Sequence, residues 1–259
     1  MSRRLERPAR RTHDRHKPAE DATLIFGFHA AEAALRNLQR QVLHAWLTEN
    51  AQNRLSAVLA PRGIAVETVH PRDLDRQLGA DTVHQGVLLE CEPLPDVTLA
   101  ALAETPGGGP ILVLDQITDP HNVGAILRSA AVFAAAGIVM TRRHSPPLTG
   151  ALAKAASGAL DVVPVALVQN LARALAELGE LGYVRIGLDG EAETLLEDAA
   201  LDRPVALVLG AEGKGLRQLT GESCDQLCRI AAPGPLGSLN VSNAAAVALH
   251  LVAMRRRKA

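Results

Sequence analysis

The chain reads as an α/β protein of two units: a small N-terminal αβ unit and a larger C-terminal unit on a mostly parallel sheet covered on both faces. Three observations predict this. Short aliphatic runs alternate with helix-period segments along nearly the whole chain, the pattern of parallel strands joined by helical crossovers. Residues 93–109 hold Pro93, Pro95, Pro106 and Gly107-Gly108-Gly109, the best boundary in the chain. Hydrophobic residues make up 47% of the 259 and aromatics only 2%, so the cores are filled with Leu, Val, Ile and Ala.

Each element follows in order. Residues 1–20 are Arg-rich, carry Pro8 and Pro18, hold almost no apolar side chains, and are expected to be a disordered basic tail. Residues 21–92 form the first unit. Gly27-Phe28-His29 leads into a helix over 30–38 with Ala and Leu on one face. A strand over 42–47, a helix over 53–60, a strand over 64–69 after Gly63 and a short helix over 71–78 follow. His84-Gln85-Gly86 then opens a strand over 87–91. After the 93–109 linker, residues 110–259 alternate more cleanly. Strands are expected over 111–115, 138–141, 162–165, 183–188, 205–209 and 227–230. Helices are expected over 121–136, 148–156, 170–181 and 241–256.

Composition narrows the function. The formal net charge is −1, so bulk charge does not drive polyanion binding. The first twenty residues, however, carry seven basic side chains (Arg3, Arg4, Arg7, Arg10, Arg11, Arg15, Lys17) against Glu6, Asp14 and Glu20. The last five residues include Arg255, Arg256, Arg257 and Lys258. Such tails add salt-sensitive, sequence-blind affinity for phosphates. The scarcity of aromatics argues against base-stacking aromatic platforms. Cys91, Cys224 and Cys228 are an odd set without a framework spacing, which fits a reducing compartment. The Cys224/Cys228 spacing lacks a second pair, so no metal site is expected. There is no signal-peptide pattern and no apolar run of bilayer length, so the protein is expected to be soluble and cytoplasmic.

Four clusters at strand ends or helix starts carry the candidate chemistry. The first is Asp119-Pro120-His121-Asn122-Val123-Gly124-Ala125 with Arg128, in which Asn122 reads as a helix cap. The second is Leu209-Gly210-Ala211-Glu212-Gly213-Lys214-Gly215, directly after a strand. It matches neither a Walker A loop nor Gly-x-Gly-x-x-Gly. The third runs from Ile230 through Pro233-Gly234-Pro235-Leu236-Gly237 into Ser238-Leu239-Asn240-Val241-Ser242-Asn243-Ala244. The fourth is Lys154-Ala155-Ala156-Ser157-Gly158-Ala159, a helix end with a glycine cap and a lysine able to face an anion. Helix starts offer free N–H groups and partial positive charge, and parallel sheets bind ligands at the carboxyl ends of their strands.

Together these segments resemble the three signature motifs of the SpoU branch of the SPOUT RNA methyltransferases, in family order and spacing. The likeness runs over roughly residues 23–255. It is nearest to the subgroup acting on a guanosine of 23S ribosomal RNA, through Leu114 to Pro120, Lys154 with Ala156-Ser157-Gly158-Ala159, and His84-Gln85-Gly86. One departure stands in the third motif, where Ala231-Ala232 replaces a common Pro-Met pair and is expected to alter packing near the cofactor.

The resemblance implies a C-terminal domain tied in a trefoil knot, an N-terminal RNA-binding domain similar to a ribosomal protein, and a homodimer in which each site borrows partner residues. It implies S-adenosyl-L-methionine as cofactor, contacted at Leu209, Gly210, Ile230, Ser238 and Leu239. It implies methyl transfer to a ribose 2′-hydroxyl, with Arg128 central and Asn122, Glu212, Ser238 and Asn240 around it. Lys154, His84 and Arg128 would meet ribosomal RNA. Arginine holds its proton firmly, so a phosphate clamp suits Arg128 as well as the family's general-base proposal. Glu212 could hold its guanidinium in place. The rival readings are a transfer-RNA 2′-O-methyltransferase and a non-catalytic RNA-binding ribosome-assembly factor. Intact Asn122, Arg128, Glu212 and Asn240 disfavour the second.

The charge asymmetry makes one prediction. Deleting residues 1–20 weakens RNA binding mainly at moderate salt, seen as a shallower slope of log affinity against log salt. Equal affinity with and without the tail across a salt series would contradict it.

Overall fold

A computed structural model describes residues 22–199, 201, 203–235 and 238–256. The basic N-terminal tail lies outside the described residues, as do Leu236-Gly237 and the last three residues.

The first unit is a four-stranded sheet with helices on both faces. Its elements are β1 (Thr23–Phe26), α1 (Phe28–Arg36), β2 (Val42–Leu47), α2 (Glu49–Leu59), β3 (Val66–Thr68), α3 (Pro71–Leu78) and β4 (Val87–Cys91). The strand order is β1-β4-β2-β3, with β4 antiparallel to both β1 and β2 and β3 parallel to β2. Strand alternation divides the side chains between the faces. Ala45, Leu47, Val87 and Leu89 pack with α1 and α2 in the main core. Trp46 and Leu88 meet Leu74 of α3 on the other face. Thr48 caps α2, accepting the Ala51 N–H, so that helix starts four residues earlier than its apolar pattern suggests. Strand β1 was not expected. Four residues are too few to show a period, and their partner β4 lies more than sixty residues away.

The second unit is a six-stranded, wholly parallel sheet in the order β10-β8-β9-β5-β6-β7. The strands are β5 (Ile111–Asp115), β6 (Gly137–Thr141), β7 (Val165–Val168), β8 (Val184–Leu188), β9 (Val205–Gly210) and β10 (Gln226–Cys228). The helices are α4 (Leu99–Ala103), α5 (Pro120–Val132), α6 (Gly150–Ala155), α7 (Leu171–Glu180), α8 (Gln218–Glu222) and α9 (Val241–Arg256). Leu112, Leu114, Leu207 and Leu209 face α5, α6 and α9, while Val113, Val139 and Val208 face α4 and α7.

Several details differ from the sequence reading: α5 ends at Val132 rather than at 136, β10 covers Gln226–Cys228 rather than 227–230, and the short α8 was not expected. Two further differences have clear causes. Strand β7 begins at Val165 rather than at 162, because a 3-10 turn over Ala159–Asp161 leads into Pro164, which has no N–H for the ladder. The stretch read as a linker contains α4, whose Leu99 and Leu102 are buried in the sheet's second core.

The two units meet over a shared core. Helix α1 packs on the 159–161 turn, and β1 packs on α6. At this seam the side chains of Arg40 and Asp161 are both 1% exposed, with Nε and Oδ1 2.8 Å apart. Asn37 Nδ2 donates to the same oxygen at 3.2 Å, and Arg40 Nη1 donates to the Glu92 carbonyl at 3.2 Å. Cys91 lies beside the pair, and burial pushes its thiol up to about 12, so it stays protonated.

A buried pair is costly to halve. Asp161→Ala strands the Arg40 charge and should lower unfolding free energy by about 3–5 kcal/mol, whereas Arg40→Met with Asp161→Ala should recover most of it. Urea denaturation of the three proteins tests this.

Candidate active site

The loops at the carboxyl ends of β5, β8, β9 and β10 converge on one edge of the sheet. Strand β5 leads through Gln116 to Asp119 into α5. Asp119 caps that helix, its Oδ1 accepting the His121 N–H at 2.9 Å, and Pro120 occupies the first helical position. Asn122 is therefore not the cap. It lies inside the first turn with its side-chain amide free for tertiary contacts. Gly124 is a packing residue: a Cβ there would stand 2.6 Å from the Ala155 Cβ, which is what lets α6 lie against α5.

The β9 loop closes on itself. A Cβ on Gly210 would fall 2.1 Å from the Gly215 carbonyl carbon, so only glycine permits this approach. Arg217 pins the loop's far end to β5. Its Nε stands 2.7 Å from Oδ1 of the buried Asp115, and its backbone N–H donates to Oδ2 at 3.1 Å.

That loop presents Glu212 to two asparagines. Glu212 Oε1 accepts from Asn122 Nδ2 at 3.3 Å, from Asn240 Nδ2, and from the Val241 N–H at 3.3 Å. Asn240 Nδ2 also reaches Asn122 Oδ1 at 3.1 Å. Meanwhile Asn240 Oδ1 accepts the Ser242 N–H at 2.9 Å, capping α9. Three of the sequence-predicted residues thus form one cluster. Ser238 and Leu239 lie on the exposed approach to it.

The remaining predicted residues fall elsewhere. Arg128 is exposed on α5 and makes no hydrogen bond or ion pair among the described residues, so Glu212 holds amides rather than its guanidinium. His84 is 8% exposed, with Nδ1 accepting the Gly86 N–H at 3.0 Å and Nε2 3.1 Å from Asp75 Oδ1. It builds its own turn and has no free ring nitrogen to offer RNA. Lys154 lies at the seam between the units, its Nζ 5.7 Å from the Phe26 ring centroid. Cys224 and Cys228 stand on different elements, one just after α8 and one in β10. Burial pushes the Cys224 thiol up to about 12 and also raises that of Cys228.

A cleft of about 620 Å³ opens beside the cluster, and its lining includes Leu209, Gly210, Ile230, Ser238 and Leu239, the residues expected at the cofactor. Sequence reasoning missed its other wall, Leu188, Asp189 and Glu191 at the end of β8. The signal was available: an Asp-Gly turn directly after a parallel strand. The residues suit an adenosyl sulfonium. Leu188, Leu209 and Ile230 supply apolar walls, and the Asp189, Glu191 and Glu212 carboxylates favour a cationic ligand with hydroxyl and ammonium donors.

Comparison with known proteins agrees with this architecture. Residues 109–250 match the SpoU rRNA Methylase family, and residues 24–97 match the family described as RNA 2'-O ribose methyltransferase substrate binding. The chain belongs to the SpoU rRNA methylase family. A relative from Pseudomonas syringae pv. tomato, named 23S rRNA (guanosine-2'-O-)-methyltransferase RlmB, is 39% identical over 243 residues, covering 91% of this chain and 96% of its own. A relative of the same name from Burkholderia sp. is 41% identical over 240 residues, covering 91% of this chain and 97% of its own. Among solved structures, the SpoU methyltransferase AviRb from Streptomyces viridochromogenes in complex with AdoMet has the same fold. Its TM-score is 0.79 at 20% identity, covering 92% of each chain.

If Arg217 holds the glycine loop, its loss loosens the cleft. Arg217→Ala should weaken S-adenosylmethionine binding about tenfold, or about 1.4 kcal/mol, in isothermal titration, and Asp115→Asn should do the same. Unchanged binding in both would refute the bracing role.

Proposed function

We propose that this protein transfers a methyl group from S-adenosyl-L-methionine to the ribose 2′-hydroxyl of a guanosine in 23S ribosomal RNA. One observation carries the reading: the Asn122–Glu212–Asn240 cluster opens directly onto a cleft with the size and lining for the cofactor. The substrate-binding unit and the names of the relatives support ribosomal RNA as the acceptor.

Bound S-adenosylmethionine supplies an already activated methyl group. What remains for the chain is positioning and charge placement. Glu212 already accepts three N–H donors, so its part is to lock the asparagine amides in one orientation. Those amides hold the ribose, and Arg128 clamps the adjoining phosphate. Leu209, Gly210, Ile230, Ser238 and Leu239 hold the cofactor.

Arg128 lies six residues beyond Asn122, roughly two-thirds of a turn further round α5, away from the cluster in its own chain. We therefore assign it to the site of a second copy. Val132 on α5 is 76% exposed, and Val247 and Met254 on α9 are also exposed. That apolar surface on two mutually packed helices fits a homodimer interface. The return of α9 over β9 and α5 after the edge strand β10 fits the trefoil knot. Among the described residues no helix is long and apolar enough to cross a membrane.

The decisive assay is transfer from labelled S-adenosylmethionine onto total RNA, with the labelled nucleotide identified. Label in 2′-O-methylguanosine of large ribosomal RNA is expected, and label in transfer RNA would move the substrate. Arg128→Ala should be nearly inactive while binding the cofactor normally. Mixing it with inactive Glu212→Gln should restore about a quarter of wild-type activity if the site is shared across a two-fold dimer. No restoration places Arg128 in its own chain's site.

A further inference from the structure

Two smaller cavities extend away from the cofactor cleft. The first, of about 330 Å³, shares Glu212 and Val241 with the cleft and is also lined by Gln116, Thr118, Asp119 and His144. The second, of about 310 Å³, is an apolar slot walled by Pro120, Pro146, Pro147 and Leu152. Thr118 and His144 line both. The order is therefore cofactor cleft, carboxylate–amide cluster, polar cavity, His144, proline slot.

His144 is held in an unusual way. Its φ is +64°, in the left-handed region that glycine adopts most cheaply. The turn that imposes this is anchored from beneath. The buried Thr141 hydroxyl donates to the Arg143 carbonyl and lies 3.4 Å from Ser145 Oγ. Arg142 Nη2 pairs with Asp96 Oδ2 at 2.8 Å. Gln116, on the same cavity, has φ +55°. Of the five non-glycine residues with left-handed backbone among those described, two thus converge on one cavity. Backbone cost retained where glycine would remove it marks a side chain in use.

We infer that these cavities receive the acceptor nucleotide turned out of its RNA strand, with its base stacked against His144 at the mouth of the proline slot. The inference rests on the proposed methyl transfer and names the part of the site that chooses the base. Ribose held by the asparagine amides beside Glu212 puts C1′, and hence the base, in the next cavity. An extruded base needs a flat partner and edge contacts. Among the residues lining these two cavities His144 carries the one aromatic ring, and it is exposed. Asp119 caps α5 with Oδ1, and its Oδ2 makes no hydrogen bond among the described residues, which gives an acceptor for adjacent N–H groups. Gln116 offers both a donor and an acceptor. A guanine edge, with two neighbouring donors beside a carbonyl, complements that set.

Two measurements test this. In the full chain loaded with S-adenosylhomocysteine, the His144 imidazole resonances should shift on titration with guanosine 5′-monophosphate and stay fixed with cytidine 5′-monophosphate. In transfer assays, His144→Ala should lower kcat/KM about tenfold to a hundredfold, the loss of one stacking partner, and relax the choice of guanosine over adenosine, with cofactor affinity unchanged. His144→Gly relieves the backbone and should show the same loss; rescue by glycine would mean that the position serves only the turn and would overturn the inference. So would unshifted His144 resonances. Guanosine-dependent shifts in a protein that methylates no RNA would keep the pocket and discard the proposed activity.

Discussion

The site depends on one carboxylate. Glu212 sits on a loop after β9, yet it accepts hydrogen bonds from Asn122, 90 residues earlier, and from Asn240, 28 residues later. Each contributes little alone. Together they bring three strand-end segments to one point and hold two amides in a fixed orientation. That carboxylate is in place only because the loop beneath it is rigid. Gly210 lets the loop fold onto itself, and Asp115 with Arg217 closes its far side. A parallel sheet makes this possible, since every strand delivers its carboxyl end, and the loop after it, to the same edge.

Much of the architecture was legible in the residues, for a physical reason. Fully buried parallel strands read as continuous aliphatic runs, and β5 and β9 are such runs. The features that stayed hidden are those decided at long range. Strand β1 owes its existence to a partner more than sixty positions away. Helix α4 lies in a proline- and glycine-rich stretch and takes shape by burying two leucines against the sheet. Pro164, visible in the sequence, was enough to push β7 three residues on.

The site was legible at the level of motifs and less so at the level of roles. Asn122, Glu212 and Asn240 come together, but through each other, and the capping duty falls to Asp119 and Asn240. His84 stands inside a conspicuous tripeptide, and such a tripeptide cannot say whether its ring points out or in. Here both nitrogens are taken by the unit's own turn. The Asp189–Glu191 wall shows in the sequence only as an Asp-Gly turn after a strand, and the His144 turn carries no motif. Their place at the site emerges when strand ends are laid side by side.

The seam at Arg40 and Asp161 has a consequence for how such a protein measures its target. Both side chains are sealed from water, so the unit carrying the substrate-binding fold does not hang from a tether. It is a jaw welded to the frame. On the proposed function, the span from that unit's RNA grip to the Glu212 cluster is a length set in the protein rather than in the RNA. An RNA that presents the right base at the wrong distance from the grip would then fail on geometry before any base is read.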